Sequence, residues 1–458
     1  MSRYKYLLYV ALALAVVLVV AFGLQLKKLQ KQVRSSVRII PADSKARADV
    51  AQNGLDQNGS AARPRPQILV KFRAGVSTET ISQITARFND QIADEIEAVP
   101  GLTAIQDQDN ADAEAAAAQY QALTEVEYAE PNYEINVEQD NAGKITASND
   151  PEIREQWALQ NTSLPQAWAK TRGSREIVVA VLDTGVEYTH VALVNNIWTR
   201  PANIKPYQDQ DLGTIDDVHG YNAVGNDGDP LDDNGHGTAC AGIIGAECDN
   251  NTGVCGVNAK TQIMSLKFLN GGGFGDVAGA VAAINYAIDR KRAGVNLRVI
   301  NASWGLRQPS RALADVIRAA ADAGILFVAA GGDTNTNNDT TPRYPVGDRS
   351  GNIISVAAID SRDALAEFSN YGSKTVQLAA PGKDILTTAL GNDYKRRSGT
   401  SPAAAFVSGI AALALSAHPD LSVAQLRSRL LQSVDQRPEL RGRVVTGGRI
   451  NAARAVSQ

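Results

Sequence analysis

Cysteine is scarce in this chain. Of 458 residues, only Cys240, Cys248 and Cys255 carry thiols. So low and odd a count rules out a disulfide framework, while one pair plus one thiol outside it would suit an oxidising compartment. Net charge is also small: the formal value of −4 is too little to draw nucleic acid as a partner. Histidine occurs four times, as His190, His219, His236 and His418. Short internal repeats are not evident. What is present is ordinary globular material, with 44% apolar and 21% charged residues, enough for a core and for two or three domains by length.

The charge that exists is unevenly spread. Residues 27–65 hold nine Lys/Arg against three Asp, and residues 66–137 hold three Lys/Arg against thirteen Asp/Glu. A basic linker therefore precedes an acidic module. Before both lies one long uncharged run, Leu7 to Leu24, long enough to span a bilayer. Arg3 and Lys5 precede it, and Ala21-Phe22-Gly23 offers a small-x-small cleavage site. The reading is a cleaved signal peptide or a signal anchor that attaches the chain to a membrane through residues 7–24. Lys27, Lys28, Lys31 and Arg34 would place that flank in the cytoplasm by charge counting alone. The processing architecture set out below argues instead for export, to a secreted or membrane-anchored state.

Residues 41–66 read as a flexible linker ending in Arg63-Pro-Arg-Pro66. Gln67-Ile-Leu-Val-Lys-Phe72 reads as a strand, Thr78 to Phe88 and Ala111 to Leu123 as helices, and Val126 to Val137 as extended. This is a small module of β-α-β type. A polar stretch follows at 140–150. Beyond it, apolar β runs (Ile177–Leu182, Gln262–Leu266, Val299–Ala302, Ile325–Ala330, Ile353–Ala358) alternate with helical patterns (Val277–Lys291, Ser310–Ala323, Pro402–His418). That alternation predicts an α/β fold on a parallel sheet.

Three motifs carry chemistry. Ile177-Val-Val-Ala-Val-Leu-Asp-Thr-Gly185 places Asp183 at the end of a buried strand, where α/β sheets bind ligands. Asp232-Asp-Asn-Gly-His-Gly-Thr-Ala-Cys-Ala-Gly242 sets His236 between glycines at the start of a small-residue helix. Ser398-Gly-Thr-Ser-Pro-Ala-Ala-Ala-Phe-Val-Ser-Gly409 puts Ser401 at a helix N-terminus, with Pro402 expected at the first helical position. Free N–H groups and the helix dipole favour negative charge there, as an acyl-transfer oxyanion requires. Each motif alone also fits a turn Asp, a surface His or an N-cap Ser. Together, in the order Asp, His, Ser, they match one known arrangement of the triad.

These blocks resemble the subtilisin (subtilase) family over about 150–458. Asn301-Ala-Ser-Trp-Gly305 and Lys267-Phe-Leu-Asn-Gly-Gly-Gly-Phe-Gly275 look like its two substrate-lining segments, and Val445-Thr-Gly-Gly-Arg-Ile-Asn451 like its closing segment. Gln67 to Phe72 and Val126-Glu-Tyr-Ala-Glu-Pro-Asn-Tyr133 are similar to its inhibitory propeptide. The resemblance implies a subtilisin-like fold, with a mostly parallel central sheet flanked by helices and a small α+β propeptide domain before it. The expected divisions are 1–26 signal peptide or anchor, 27–65 basic linker, 66–137 propeptide, 138–149 processing linker and 150–458 peptidase.

The function implied is a serine endopeptidase made as a self-processing precursor. Its partners would be polypeptide substrates and its own propeptide as an intramolecular inhibitor. Asp183, His236 and Ser401 would be catalytic, and the Ser401 backbone N–H would serve the oxyanion. Leu269, Asn270, Gly271, Gly272, Ser303, Trp304 and Gly305 would bind the substrate as an added strand. Gly332 in Ala329-Ala-Gly-Gly-Asp333 holds the position of the family's oxyanion Asn and has no side chain. Asn335, Asn337 or a water could substitute, and Asp333 only if protonated. A catalytically weak protein that binds peptides is therefore the second reading. No cofactor is needed for catalysis. Structural calcium is implied at Asp150, Asn250, Thr252 and Val254, but Ala192 removes a carboxylate from that set. Asp227, Asp229, Asp232 and Asp233 form a second acidic candidate. Cys248 and Cys255 bracket the first loop and would pin it as a disulfide, leaving Cys240 as a buried thiol.

Overall fold

The computed structural model describes residues 67–109, 112–137, 155–250, 253–348 and 350–457, all within the unit Pro64–Gln458. The expected signal or anchor segment 7–24, the linker 27–65 and the processing linker 138–149 lie outside the described residues. One described helix, Thr400–Ala417, is long and apolar enough to cross a membrane, but 89% of it is buried inside the protein as a core helix.

The small module comes first. Its strands are β1 (Ile68–Phe72), β2 (Gln91–Glu95), β3 (Leu102–Gln106) and β4 (Val126–Pro131), in the order β2-β3-β1-β4. Two helices, α1 (Thr78–Arg87) and α2 (Ala113–Gln121), follow β1 and β3 in the chain. Ser77 and Asp112 cap them, each side chain accepting from a backbone N–H in the first turn. β2 and β3 were not legible in the sequence. The stretch read as one extended run, Val126 to Val137, is two strands: β4 breaks at Asn132-Tyr133 and resumes as β5 (Glu134–Val137) in a different sheet.

The body carries β6 (Gly173–Asp183), the hairpin β7 (Tyr207–Asp209) and β8 (Gly213–Ile215), β9 (Gly220–Asn222), α3 (His236–Gly245), β10 (Lys260–Lys267), β11 (Phe274–Asp276), α4 (Val277–Arg292), β12 (Leu297–Ala302), β13 (Trp304–Gly305), α5 (Arg311–Asp322) and β14 (Leu326–Ala330). It continues with β15 (Ile353–Ile359), β16 (Leu378–Pro381), the hairpin β17 (Ile385–Ala389) and β18 (Asp393–Arg397), α6 (Thr400–Ala417), α7 (Val423–Gln432), β19 (Val434–Gln436) and β20 (Gly448–Ile450). The main sheet runs β19-β20-β16-β15-β14-β12-β6-β10-β9. All of its pairings are parallel except β19 with β20. The expected parallel α/β sheet is therefore present. Its strands are apolar on both faces because helices cover both. Val179, Val181 and Val328 point into one core with α3 and α6, while Val178, Ala180 and Phe327 point into the other with α4 and α5.

A third, three-stranded sheet matters most for function. β5 of the module lies antiparallel between β11 and β13 of the body. The paired residues are Gly275 with Ile135, Phe274 with Asn136 and Trp304 with Val137.

Candidate active site

Asp183 ends β6 in the middle of the sheet and is fully buried. Its Oδ1 accepts from the Thr184 backbone N–H at 2.8 Å and from His236 Nδ1 at 2.7 Å. A ring nitrogen that donates here leaves the lone pair on Nε2, the tautomer a general base needs. His236 opens α3, where the strand-end loop and the helix start touch backbone to backbone. A Cβ on Gly237 would stand 2.0 Å from Gly185 O, so only glycine lets Asp183 and His236 come together this way.

Asp232 holds that junction. Its Oδ1 accepts from Thr184 Oγ1 (2.8 Å), Asn234 N (2.9 Å) and Gly235 N (2.9 Å), and its Oδ2 from Thr238 N (2.9 Å) and Thr238 Oγ1 (2.6 Å). Lys267 adds a second brace, with Nζ donating to Thr184 O, Leu269 O and Asp233 Oδ1. Asp229 accepts from Tyr188 Oη and Asp227 from Asn222 Nδ2. The acidic run 227–233, read as a second cation candidate, is thus used for turns and for orienting His236. Neither Asp232 nor Lys267 is recognisable as a positioning residue from sequence, because their partners are set by loop geometry.

Ser401 is the second residue of α6. The helix begins at Thr400, so Pro402 falls in the first turn rather than at its first position, where its missing N–H still costs nothing. Ser401 Oγ donates to Ser303 O at 3.2 Å, and Ser303 Oγ donates back to Ser401 O at 3.2 Å. Asn301 Nδ2 and Cys240 Sγ also reach Ser303 Oγ. Ser401, His236, Asp333, Gly399 and Arg397 line one cavity. Cys240 is buried and carries no disulfide.

The position expected to serve the oxyanion has no room for a side chain. Gly332 has φ +105°, its N–H donates to Thr400 Oγ1 at 2.9 Å, and a Cβ there would strike Asn370 Nδ2 at 2.4 Å. A side chain at 332 would thus head for Asn370. The next residue brings its side chain to the cavity instead: Asp333 Oδ1 accepts from Thr400 N at 2.8 Å. Asn335, with φ +52°, donates its own N–H to Phe368 O, and Asn337 caps a turn through Asp339 N.

The residues expected to line the substrate fall on two segments either side of β5. Ser303 lies against Ser401, and Trp304 and Gly305 form β13 beside β5, with Trp304 Nε1 donating to Leu182 O at 2.8 Å. Leu269 is core, and Asn270, Gly271 and Gly272 belong to a turn in which Asn270 Oδ1 accepts from Gly272 N and Phe274 N. The strand that pairs with β5 is Phe274–Asp276, with Gly273 O accepting from Val137 N at 3.0 Å.

Cys248 and Cys255 are joined as expected, with Cα atoms 4.6 Å apart. Gln156 fixes Cys255 through two hydrogen bonds of 2.9 Å to its backbone. Of the implied calcium set, Asn250 and Val254 lie in this loop, while Asp150 and Thr252 lie outside the described residues. Among the described residues, the groups of acids, histidines and cysteines close enough to hold a metal are elsewhere.

Residues 174–447 match the subtilase family model, more than half of the chain. The chain belongs to the subtilase family. Residues 52–132 match the fervidolysin N-terminal prodomain. A thermophilic serine proteinase of Bacillus sp. (strain AK1) is 36% identical over 333 residues, covering 72% of this chain and 73% of that protein. Thermitase of Thermoactinomyces vulgaris is 33% identical over 309 residues, covering 67% of this chain and 98% of its own. The crystal structure of fervidolysin from Fervidobacterium pennivorans has the same fold, with a TM-score of 0.68 at 22% identity over 88% of this chain and 62% of that one. This subtilase is a serine endopeptidase preceded by a prodomain; β1–β4 with α1 and α2 make up most of that prodomain's described residues, and β5 follows its matched span.

Proposed function

We propose that this subtilase is made as a precursor that cuts itself, with Ser401 as nucleophile, His236 as general base and acid, and Asp183 as the group that orients His236. Ser401 Oγ forms a bond to the scissile carbonyl carbon as its proton passes to His236 Nε2. The C–N bond then breaks, and the same proton leaves with the amine. Water, deprotonated in turn by His236, hydrolyses the acyl-enzyme. The Ser401 N–H at the start of α6 faces the developing oxyanion. The 2.7 Å bond between Asp183 and His236 supports these roles.

The observation that carries self-processing is β5. A module segment already paired with Trp304, next to the Ser303 that touches Ser401, stands in the substrate's place. It therefore blocks the cleft as a substrate-like strand, and the bond cut falls soon after Val137, within 138–149. Export fits a disulfide in the 248–255 loop. The test follows the full chain by mass spectrometry beside Ser401→Ala. The wild type is expected to lose the module through a cut in 138–149, and the variant to stay whole. An intact wild type with native circular dichroism would overturn self-processing.

One observation favours the second reading, a weak enzyme that chiefly binds peptides. The cavity side chain at 333 is a carboxyl group, and an ionised carboxyl repels the oxyanion that an amide would bind. Labelling of Ser401 by a fluorophosphonate separates the two, since a binding protein would label no faster than free serine.

A further inference from the structure

Prodomain and body also meet far from the triad, at a contact rich in acids. β2 ends in Asp94-Glu95, and the β7–β8 hairpin turns through Asp209 to Asp211. One carboxylate oxygen from each of Asp94, Asp209 and Asp211 lies within 4.8 Å of the other two. The body holds its pair firmly. Asp209 is buried, with Oδ1 accepting from Asp211 N (2.9 Å) and Leu212 N (2.7 Å) and Oδ2 from Tyr207 Oη (3.2 Å). Asp211 is exposed, and its Oδ2 accepts from Glu95 N across the junction at 2.9 Å.

Asp94 has no such support. Its Oδ1 has no solvent contact and accepts no hydrogen bond, although the residue as a whole is only partly buried. Burial first, then Asp209, Glu97, Asp211 and Glu95, push this carboxyl well above the usual range. Arg290, stacked on the Tyr207 ring, is spent on Asp217 and Asp289. A carboxylate oxygen buried without a partner, beside two further acids, is a costly arrangement unless a cation completes it.

We propose that Asp94, Asp209 and Asp211 form a calcium site shared by the prodomain and the body, so that calcium holds the prodomain on the enzyme. The ligands are all hard oxygens, the set calcium takes, and exposed Asp211 leaves an open side for water ligands. Because the site exists only in the docked arrangement, calcium stabilises that arrangement, and release of the prodomain releases the ion. The consequence for activation rests on the inhibitory reading of the prodomain; binding of the ion does not.

The test uses the full chain carrying Ser401→Ala, so that it stays uncut. Calcium stoichiometry is measured by equilibrium dialysis, with terbium luminescence excited through tyrosine as a local probe, because Tyr207 donates to Asp209. Adding Asp94→Asn is expected to remove about one equivalent of calcium, to quench tyrosine-excited terbium emission, and to shrink the calcium-induced rise in Tm. Any other calcium sites on the body cancel in the difference. Asp211→Asn, on the exposed side, repeats the test if Asp94→Asn folds poorly. The proposal is overturned if both variants bind as much calcium as the parent. It is equally overturned if Asp94→Asn raises Tm alike in calcium and in EDTA, as relief of an uncompensated acid cluster would. Neither readout depends on whether the prodomain inhibits.

Discussion

The prodomain and the body bury their sheets in different ways. In the body, each face of the parallel sheet meets the body's own helices, α3 and α6 on one side and α4 and α5 on the other. In the prodomain, only one face is self-sufficient: Ile68, Val70, Phe72, Ile105 and Val126 pack with Ile81, Ile84 and Tyr120 of its two helices. The opposite face, with Leu69, Leu102, Ala104 and Tyr128, is buried in a core shared with the body. Fully burying large side chains of this kind is worth roughly 1.5–3 kcal/mol each. The body's sheet is therefore covered on both faces by its own helices, whereas the prodomain depends on the body it packs against. A part with one unfinished face is suited to removal, because on release it exposes apolar surface and loses stability.

The largest effect that tests this division is Ser401→Ala. It is expected to lower turnover on a peptide substrate by about 10⁶, as loss of a triad serine does, while leaving prodomain affinity unchanged within about twofold. Dissociation constants for labelled prodomain, measured by fluorescence anisotropy, check the second half. A large change in affinity would show that the catalytic hydroxyl also holds the prodomain. Next in size is Asp333→Asn. An amide keeps the acceptor used by Thr400 N and supplies an N–H where a carboxylate stood. Removing one oxyanion donor costs about 10²–10³ in kcat, so installing one is expected to raise kcat by about 10- to 100-fold with little change in KM. An unchanged kcat would mean that Asp333 does not face the oxyanion.

The candidate site was legible because each motif ties a residue type to an element end, Asp183 to a strand and His236 and Ser401 to helix starts; in the structure Asp183 bonds to His236, which lines one cavity with Ser401. The parallel sheet was legible from apolar runs alternating with helical spacing. Other features were hidden for definite physical reasons. Position 332 was read as the oxyanion position, but its backbone at φ +105° sends a side chain toward Asn370, and the carboxyl that reaches the cavity belongs to Asp333. Leu269, Asn270, Gly271 and Gly272 were read as binding the substrate; in the structure Leu269 is core, Asn270 holds a turn, and the strand paired with β5 starts at Phe274. β2, with its sequence QIADE and no buried position, offered no β pattern to find. Glu95 and Asp211, 116 residues apart, meet only because the prodomain docks.

Smaller effects probe the junction from the prodomain side. Glu130 caps α5: its carboxylate accepts from Ser310 Oγ (2.6 Å), Arg311 N (2.9 Å) and Ala312 N (3.2 Å). Asn132 Oδ1 does the same for α4 through Ala278 N at 2.9 Å. Both carry negative or acceptor character to helix N-termini, where it is favoured. Losing a charged cap costs about 1–2 kcal/mol, so Glu130→Ala is expected to weaken prodomain inhibition by about 5- to 30-fold and to leave the Tm of the mature body unchanged. A fall in the mature body's Tm would mean that α5 had needed the cap for its own folding.

The smallest effect belongs to the body alone. His190 is buried between its neighbours: Nδ1 accepts from Ala192 N at 3.1 Å, and Nε2 reaches Asp393 O at 3.2 Å. That arrangement suits the neutral ring, and burial lowers its pKa below the usual histidine value. In the unfolded chain the ring takes a proton near pH 6.5. Between that value and the lower folded one, the unfolded state binds more protons, so stability is expected to fall as pH drops below about 6.5. Above that pH the contribution is complete and flat. Urea midpoints of the mature body between pH 8 and 5 are the measurement, with His190→Gln as the comparison. The variant should start lower at pH 8 and lose less on acidification. An equal acid loss in both would move the cause to other groups, and would leave the buried hairpin contact at Asp393 as packing with no part in the body's pH response.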